Sequence, residues 1–498
     1  MDWLIEQLLR EALGWERVAN AFAWILVGAF ALNVALAVRI VWSKAARPHA
    51  ALAWLAALFA FPIVGCLVYL VIGENRIGSV RRRRHRRIMQ AVGTVGGGWK
   101  DPRVLGNDMS TEDTQMAHLG ETSGAPPVLN GNLVQLSGDP EEQVRWMVAD
   151  IDAATRTADV LFYIFETDDT GRRVADALAR AARRGVTVRL LVDGIGSRRF
   201  VRSAMRRELQ AAGVRVVEAL PASVLRMLVA RVDIRNHRKL VVVDGCVAQT
   251  GSRNVANPDF KSGGRLGLKE PYVDSWIRIR GPVARDLGIL FLEDWGLDAG
   301  LGGHVEVPSH PDWQPGGIPA QVIPSGPNFE NNVVMDLIQA AIQLARREII
   351  LSTPYFIPDS ATIAGLEVAA RRGLRVTLIV PHANDSVLAA LASRVNYARL
   401  LGAGVELWEF RHGFLHSKTV SVDGELAIVT TANLDRRSYE INFETSVVVY
   451  DNGFATDLRR LQLSYIAGSD RIDEGAWARR GTGARFAENL ANLVSPLL

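Results

Sequence analysis

The chain has 498 residues, of which 22% are charged and 48% hydrophobic, and its formal net charge is +4. That length exceeds what one hydrophobic core normally supports, which excludes a single small domain and leads to an expectation of two or three. Only two cysteines occur, Cys66 and Cys246; they exclude a disulfide framework or a cysteine-based zinc site and agree with a reducing compartment.

Whole-chain averages conceal an apolar beginning. No charged residue occurs from Ala19 to Val38, and none from Pro48 to Gly73. Each run is long enough to cross a hydrocarbon layer of about 30 Å as a helix. A cleaved signal peptide or a buried core helix is the alternative. The head, however, carries Asp2, Glu6, Glu11 and Glu16 beside Arg10 and Arg17, and a second apolar run follows at once, neither of which a signal peptide shows. The expectation is a membrane hairpin within residues 1–92, with spans at about 19–40 and 48–73.

Lys and Arg near a span tend to stay cytoplasmic. The connecting loop holds Arg39, Lys44 and Arg47, while the head holds Arg10 and Arg17 and the segment after the second run holds Arg76, Arg81 to Arg84, Arg86 and Arg87. The heavier count puts head and tail together in the cytoplasm. The cluster from Arg81 to Arg87 is then expected against anionic lipid headgroups, at about 1 kcal/mol per charge near such a surface. A nucleic-acid patch or nuclear targeting signal is the competing reading, and the position directly after a span favours lipid. Residues 93–140, with "GTVGGGWKDP" and "ETSGAPP" as breakers, read as a linker ending in a strand near "VLNGNLVQLSG".

From about residue 141 strand and helix patterns alternate, and they do so twice. "ARAARRGVTVRLLVDG" (179–194) resembles "EVAARRGLRVTLIVPH" (367–382), and "LQAAGVRVVEA" (209–219) resembles "LLGAGVELWEF" (400–410). Then come "NHRKLVVVDGCVAQTGSRN" (236–254) and "LHSKTVSVDGELAIVTTAN" (415–433), in the same order in each half. A duplication of this kind predicts two α/β domains related by a pseudo-twofold axis, at 141–310 and 311–498.

On a strand, the period of two places His237 and Lys239 on one face with Val241 and Val243, and His416 and Lys418 likewise. Asp244-Gly245 and Asp423-Gly424 read first as turns. A return strand then carries Ser252 and Asn254, or Thr431 and Asn433, back toward the His-Lys end. Hydroxyl, amide and ammonium donors around an imidazole suit a phosphate oxyanion. The chance of such a set at fixed spacing is on the order of 10⁻⁷ per starting position, and two copies remove the chance reading. A twofold axis would bring both motifs to one site. One imidazole can attack phosphorus, while the other protonates the leaving alkoxide and then deprotonates the acceptor. Two lysines can hold the nonbridging oxygens, so no metal or other cofactor is required.

These duplicated motifs resemble the hallmark of the phospholipase D superfamily. More narrowly, "WLAALFAFPIVGCLVYLVIGENR" (Trp54, Pro62, Gly65, Tyr69, Gly73) and the tail "NLVSPLL" resemble the bacterial cardiolipin synthases of that superfamily. The resemblance implies two phospholipase D-like α/β domains, mixed sheets flanked by helices, behind a transmembrane helical hairpin in the inner membrane, with the catalytic part in the cytoplasm. It places His237, Lys239, Asp244, His416, Lys418 and Asp423 in the catalytic set. It also implies that a carboxylate downstream of each motif orients a catalytic histidine. Asp274 in "YVDSWIRI" and Glu444 in "NFETSVVV" stand at such places, against the competing reading of solvated strand-end acids. Ser252, Asn254, Thr431 and Asn433 join them as substrate-binding or histidine-orienting residues. One departure is Thr430, where the first copy has Gly251; its Cβ puts symmetric use of the halves in doubt.

Other signals are weaker. His412 and His416, four apart, lack a third zinc ligand and sit in a strand entry. "PHANDS" (His382, Asp385) follows a strand, where α/β loops often meet ligands. "STPYFIPD" puts Tyr355 and Phe356 either against substrate or in the core. The implied activity takes a phosphatidyl group from one phosphatidylglycerol to a second, giving cardiolipin and glycerol, with His237 as nucleophile and His416 as general acid and base. Phosphatidylglycerol and cardiolipin are the expected partners; no nucleic acid is expected and oligomeric state stays open. A hydrolase giving phosphatidic acid uses the same motifs. A nuclease and a silent membrane scaffold are the more distant alternatives.

Overall fold

A computed structural model describes residues 2–43, 48–73, 81, 83–85, 87–88, 109–221, 231, 233–260, 271–300, 313–329 and 332–493. The chain divides into two compact units, Met1–Gly78 with Ser223–Asp233, and Ser79–Ala222 with Ile234–Leu498.

In the first unit, helix α1 (Asp2–Ser43) is continuous, and its stretch Val18–Trp42 is long and apolar enough to cross a membrane. Phe22, Trp24, Ile25 and Phe30 on it are exposed, the pattern of a helix solvated by hydrocarbon. The second expected span, 48–73, is two helices instead, α2 (Pro48–Ala60) and α3 (Pro62–Ile72). Pro62 lacks the N–H that a through-going helix needs, and Phe61 before it leaves helical geometry at φ −134° and ψ 74°. At 13 and 11 residues, neither piece alone reaches the roughly 20 residues a span needs. Leu36 and Ile40 of α1 pack with Leu58 of α2 and with Cys66 and Tyr69 of α3. Asn33 Nδ2 donates to the Pro62 carbonyl at 2.9 Å, and Gly65 permits the bend, since a Cβ there would lie 2.4 Å from the Ala57 carbonyl oxygen.

The second unit is built on a 15-stranded sheet among the described residues. Its first half contributes β1 (Leu129–Ser137), β2 (Thr157–Phe162), β3 (Thr187–Asp193), β4 (Arg215–Ala219), β5 (Leu240–Val243), β6 (Val247–Gly251) and, after the two-residue β7 (Tyr272–Val273), β8 (Trp276–Arg280). The second half contributes β9 (Ile318–Ser325), β10 (Glu348–Ser352), β12 (Arg375–Pro381), β13 (Glu406–Phe410), β15 (Thr419–Val422), β16 (Leu426–Thr430), β18 (Glu444–Val449) and β19 (Ser469–Arg471). Four short strands lie apart in two pairs, β7 with β14 (Phe414–Leu415) and β11 (Phe356–Ile357) with β17 (Leu434–Asp435).

Across the sheet the order is β4-β3-β2-β5-β6-β8-β1, then β9-β18-β16-β15-β10-β12-β13-β19. Apart from β19, the second half is the first in mirror order, which is the duplication seen in the sequence. The expected pair of separate sheets is therefore one sheet, joined by the antiparallel pairing of β1 with β9. The strand read at the end of the interval 93–140 is β1, and the same interval also holds a helix, Thr111–Thr122, where a linker is expected. Residues 93–108 and 301–312 lie outside the described residues.

The strands are apolar on both sides because helices cover both faces. Alternate residues of β5 go to different cores, Val241 and Val243 with Val160, Leu178 and Leu190, and Leu240 and Val242 with Ile279, Phe291, Val322 and Val447. The second of these clusters runs under the seam and draws on both halves. It fixes how the two copies face each other.

The arginine cluster is not uniform. Arg81 is buried, paired through both guanidinium nitrogens with Asp298 at 2.7 and 2.9 Å, so it is withdrawn from the headgroup-binding set expected for Arg81 to Arg87. Arg83, Arg84 and Arg87 are exposed, and Arg82 and Arg86 lie outside the described residues.

Candidate active site

Each His-Lys motif is tied by backbone bonds to the other half of the chain. β14, directly before His416, pairs in parallel with β7, matching Phe414 with Tyr272 and Leu415 with Val273, and the His416 N–H donates to the Val273 carbonyl at 2.8 Å. In the other copy, Asn236 bridges Phe443, and the His237 N–H donates to the Phe443 carbonyl at 2.9 Å. The residue after each partner strand is a carboxylate, so the orienting pairs are crossed. His237 Nδ1 lies 2.9 Å from both oxygens of Glu444, and His416 Nδ1 lies 2.7 Å from Asp274 Oδ1.

The carboxylates are held in turn. Ser252 donates its hydroxyl to Asp274 at 2.6 Å, Thr431 donates to Glu444 at 2.6 Å, and Asn442 Nδ2 adds a bond to Glu444 at 3.3 Å. Lys239 Nζ and Lys418 Nζ each donate to the carbonyl of their own histidine at 2.6 Å, which holds both ammonium groups beside the imidazoles. Asn254 and Asn433 line the same cavity as the two histidines. Asn254 Oδ1 accepts from the Ile164 N–H, and Asn433 Nδ2 donates to Asp435.

Asp244 and Asp423, expected with the catalytic set, stand elsewhere. Each occupies a left-handed position (φ 53° and 57°) and is followed by a glycine at φ 68° or 72°, a tight hairpin turn. Asp244 accepts from the N–H groups of Thr155, Arg156 and Thr157 at 2.7–2.9 Å, and Asp423 from those of Arg346, Arg347 and Glu348 at 2.7–2.8 Å. Four strand residues stand between each and its motif's lysine, a span of roughly 16 Å at about 3.3 Å per residue. They pin the far end of the hairpin to the preceding strand.

A family model described as "Cardiolipin synthase, PLD-like domain" matches residues 147–263 and again 338–462, and one described as "Phospholipase D-nuclease N-terminal" matches residues 31–74. The chain is 37% identical over 485 residues to Cardiolipin synthase A of Yersinia pseudotuberculosis serotype IB (strain PB1/+), covering 96% of this chain and 99% of that one. It is also 37% identical over 488 residues to Cardiolipin synthase A of Erwinia tasmaniensis, with the same coverage of 96% and 99%. The chain belongs to the bacterial cardiolipin synthase family of the phospholipase D superfamily.

As a member of that family it is an enzyme of the phosphatidyltransferase kind and is membrane-associated. The fold agrees with a solved phosphatidylserine synthase of Haemophilus influenzae Rd KW20, at TM-score 0.58 and 15% identity over 77% of this chain and all of that one.

Burial sets the charge state of this cardiolipin synthase-type site. It pushes His237 down to about 4 and His416 down to about 3, so both imidazoles are neutral at neutral pH. Burial also acts to raise Glu444 and Asp274, but the facing imidazoles and the lysines outweigh it and hold both below the usual carboxylate range. A neutral imidazole beside an ionised carboxylate donates through Nδ1 and leaves the Nε2 lone pair for the cavity. Burial lowers the lysines too, Lys239 to about 8 and Lys418 to about 7.

The cavity has a volume of about 470 Å³ and is lined by both histidines together with residues that sequence reasoning passed over, among them Tyr163, Arg235, Tyr272 and Arg437. Tyr163 directly follows β2, whereas Tyr355 stands three residues past β10, so the repeat does not align the two. Arg238, the residue between His237 and Lys239, was also passed over. It is buried and bonded to Asp294 at 2.7 Å, to the Glu444 carbonyl at 2.9 Å and to the Ser325 carbonyl at 2.9 Å. Its counterpart Ser417 instead bonds Ser275 at 3.0 Å. Arg238 thus ties the Glu444 backbone to Asp294 and Ser325, while at the other crossing the buried Arg253 is a cation whose charge helps to lower Asp274.

Proposed function

We propose that this chain makes cardiolipin and glycerol from two phosphatidylglycerol molecules through a phosphatidyl-histidine intermediate. The observation that carries this reading is that two histidines, each with its own carboxylate on Nδ1, line one cavity with two buried lysines behind them. His237 Nε2 attacks phosphorus, the bond from phosphorus to the glycerol oxygen breaks, and protonated His416 delivers its proton to that oxygen. Neutral His416 then takes the proton from a hydroxyl of the second phosphatidylglycerol. That oxygen attacks phosphorus, the phosphorus–nitrogen bond breaks, and His237 is restored. The entering phosphodiester is an anion, and its charge raises the histidines and lysines again, which supports one protonated imidazole and two ammonium groups in the substrate complex. One phosphodiester replaces another, so no nucleotide is consumed.

Placement in the inner membrane as a multi-pass protein, with the second unit in the cytoplasm and Arg83, Arg84 and Arg87 toward anionic headgroups, is part of the same proposal, as are the domain limits 141–310 and 311–498. A reporter fused after Arg87 that reads periplasmic would overturn the topology.

The direct test uses purified protein in vesicles of phosphatidylglycerol, following cardiolipin, phosphatidic acid and glycerol together. Cardiolipin and glycerol are expected in equal amounts and are lost in both His237→Ala and His416→Ala. Phosphatidic acid as the sole product would instead establish a phospholipase.

A further inference from the structure

The cavity, at about 470 Å³, is the size of a pocket for one small molecule. Two phospholipids cannot bring their acyl chains into it, and every methylene withdrawn from a bilayer into water costs free energy. The headgroups must therefore reach the histidines from a bilayer that meets the rim, and the surface beside the cavity is built for one.

In the second half of the chain, Asp385, Ser386 and Ala389 line the cavity. Ser386 caps the helix Val387–Arg394, accepting from the Ala389 N–H at 3.3 Å, and Val387 and Leu388 in its first turn are exposed. Ala389 and Ala392 of that helix pack with Ala491 of the helix Thr482–Leu493 and with Ile357, which also lines the cavity. Phe486, Leu490 and Leu493 stand at i, i+4 and i+7 on the second helix and are 71%, 56% and 77% exposed, whereas Glu488 and Ala491 are buried. The helix thus buries one face and turns an apolar stripe outward. Most of the exposed large apolar side chains among the described residues of the second unit sit on these two touching helices, and a patch of that kind marks a contact surface.

In the first half, β3 is the counterpart of β12, and the segment after it, "SRRFVRSAMRR" (197–207), carries arginines where the segment after β12 is apolar. Ser197 ties it to the cavity wall, donating its hydroxyl to the carbonyl of the lining residue Tyr163 at 2.9 Å and accepting from the Phe165 N–H at 2.9 Å. Phe200 and Met205 enter the core, while Arg198, Arg199 and Arg202 are exposed. The duplication thus sets an apolar surface and a cationic one at equivalent positions beside one cavity. An anionic bilayer takes both, the apolar side chains at the boundary of headgroups and acyl chains and the guanidinium groups on phosphates. A protein partner on this face would cover the opening through which lipid enters.

We infer that this face of the second unit docks on a bilayer of anionic phospholipid, with Val387, Leu388, Phe486, Leu490 and Leu493 in the acyl boundary and Arg198, Arg199 and Arg202 on headgroups. A substrate lipid then slides its headgroup into the cavity while its chains stay in the membrane. The inference takes its lipid substrate from the transferase reading above and adds the surface that delivers it.

The test places spin labels on Phe486→Cys and on Leu490→Cys, each in full-length protein carrying Cys66→Ala and Cys246→Ala and reconstituted in phosphatidylglycerol vesicles. It compares collisions with oxygen, which concentrates in hydrocarbon, against those with a nickel chelate, which stays in water. Glu425→Cys, exposed beside the turn at the far end of the second hairpin, is the aqueous reference. Both labels are expected to favour oxygen and the reference to favour nickel, and Arg198→Gln with Arg199→Gln and Arg202→Gln should shift both labels toward water. Labels open to nickel overturn the docking, and labels sheltered from both reagents overturn the bilayer as occupant in favour of a protein surface such as a second copy of this chain. In Phe486→Ser with Leu490→Ser, the ratio of turnover on vesicles to turnover on dispersed short-chain phosphatidylglycerol is expected to fall about tenfold, since interfacial binding scales with the apolar area inserted; an unchanged ratio overturns the delivery role. The depth measurement needs no turnover. Immersed labels on protein that makes no cardiolipin would therefore tell against the transferase alone, and labels in water on protein that makes it would tell against this surface alone.

Discussion

Glu444, not Asp274, orients His237: its two oxygens lie 2.9 Å from Nδ1, across 207 residues of chain, and the reciprocal pair His416–Asp274 spans 142. The two carboxylates therefore serve different chemical steps from those their own half of the chain suggests. Glu444→Gln misorients the proposed nucleophile, and Asp274→Asn the proposed acid and base. Each change is expected to lower kcat by about 10²–10⁴, the scale for losing the carboxylate behind a catalytic imidazole. They separate in the intermediate. With labelled phosphatidylglycerol quenched in acid-free conditions, Asp274→Asn should still carry label on His237, whereas Glu444→Gln should carry none. Label lost in Asp274→Asn and kept in Glu444→Gln would reverse the roles of the two histidines.

Asp244 and Asp423 test the difference between a motif and a site. Replacing either with alanine removes an acceptor of three backbone N–H groups at a turn, at a cost of about 2 kcal/mol. The expected result is a melting temperature lower by a few degrees, with kcat of the folded protein within about threefold of wild type. A loss of kcat comparable to that of His237→Ala, without a loss of stability, would return these residues to the catalytic set.

How much was legible follows the range of the interactions. His237 with Lys239, and His416 with Lys418, are two residues apart on an extended segment, so spacing alone places them together. The α/β repeat was visible because strand and helix periodicities are local. The crossing was not, because it depends on β7 pairing with β14 and on Asn236 meeting Phe443, contacts between segments far apart in sequence. The same limit hid the merging of two expected sheets into one: the run "VLNGNLVQLSG" was recognisable as a strand, but nothing local says that its neighbour is β9. The second apolar run adds a limit of another kind: hydropathy is uniform from Pro48 to Gly73 and does not register that Pro62 divides the run into two helices.

Lys418 is a buried ammonium with a clear cost in stability. Burial lowers its folded pKa to about 7 from an ordinary 10.5. Between those values the unfolded chain holds a proton that the folded chain has released, so stability rises with pH across the window from about 7 to 10.5. Below pH 7 both states are protonated and the native fold bears the full penalty of the buried ammonium. Lys418→Met should therefore be inactive yet melt higher by roughly 3–5 °C at pH 6.5, and the advantage should fade toward pH 10. Paired melting curves at the two pH values decide it; a lower melting temperature at pH 6.5 would mean that the bond to the His416 carbonyl outweighs the desolvation.

The same charges shape the pH–rate profile. In the free enzyme both imidazoles are neutral above about 4, so the proton that His416 delivers is taken up with substrate, and kcat/KM should already decline with rising pH above about 4 in place of an acid limb near 6.5. The lysines must be protonated to hold the phosphate, and their values of about 8 and 7 predict that kcat/KM falls more steeply as pH rises through 7 to 8. In the substrate complex the phosphodiester's charge raises both lysines, so the corresponding limb in kcat should lie at higher pH. Measured on short-chain phosphatidylglycerol in mixed micelles from pH 5 to 10, the two limbs should be separated in that direction. Coincident limbs would show that the bound phosphate does not sense these lysines, and the assignment of Lys239 and Lys418 to its nonbridging oxygens would fall.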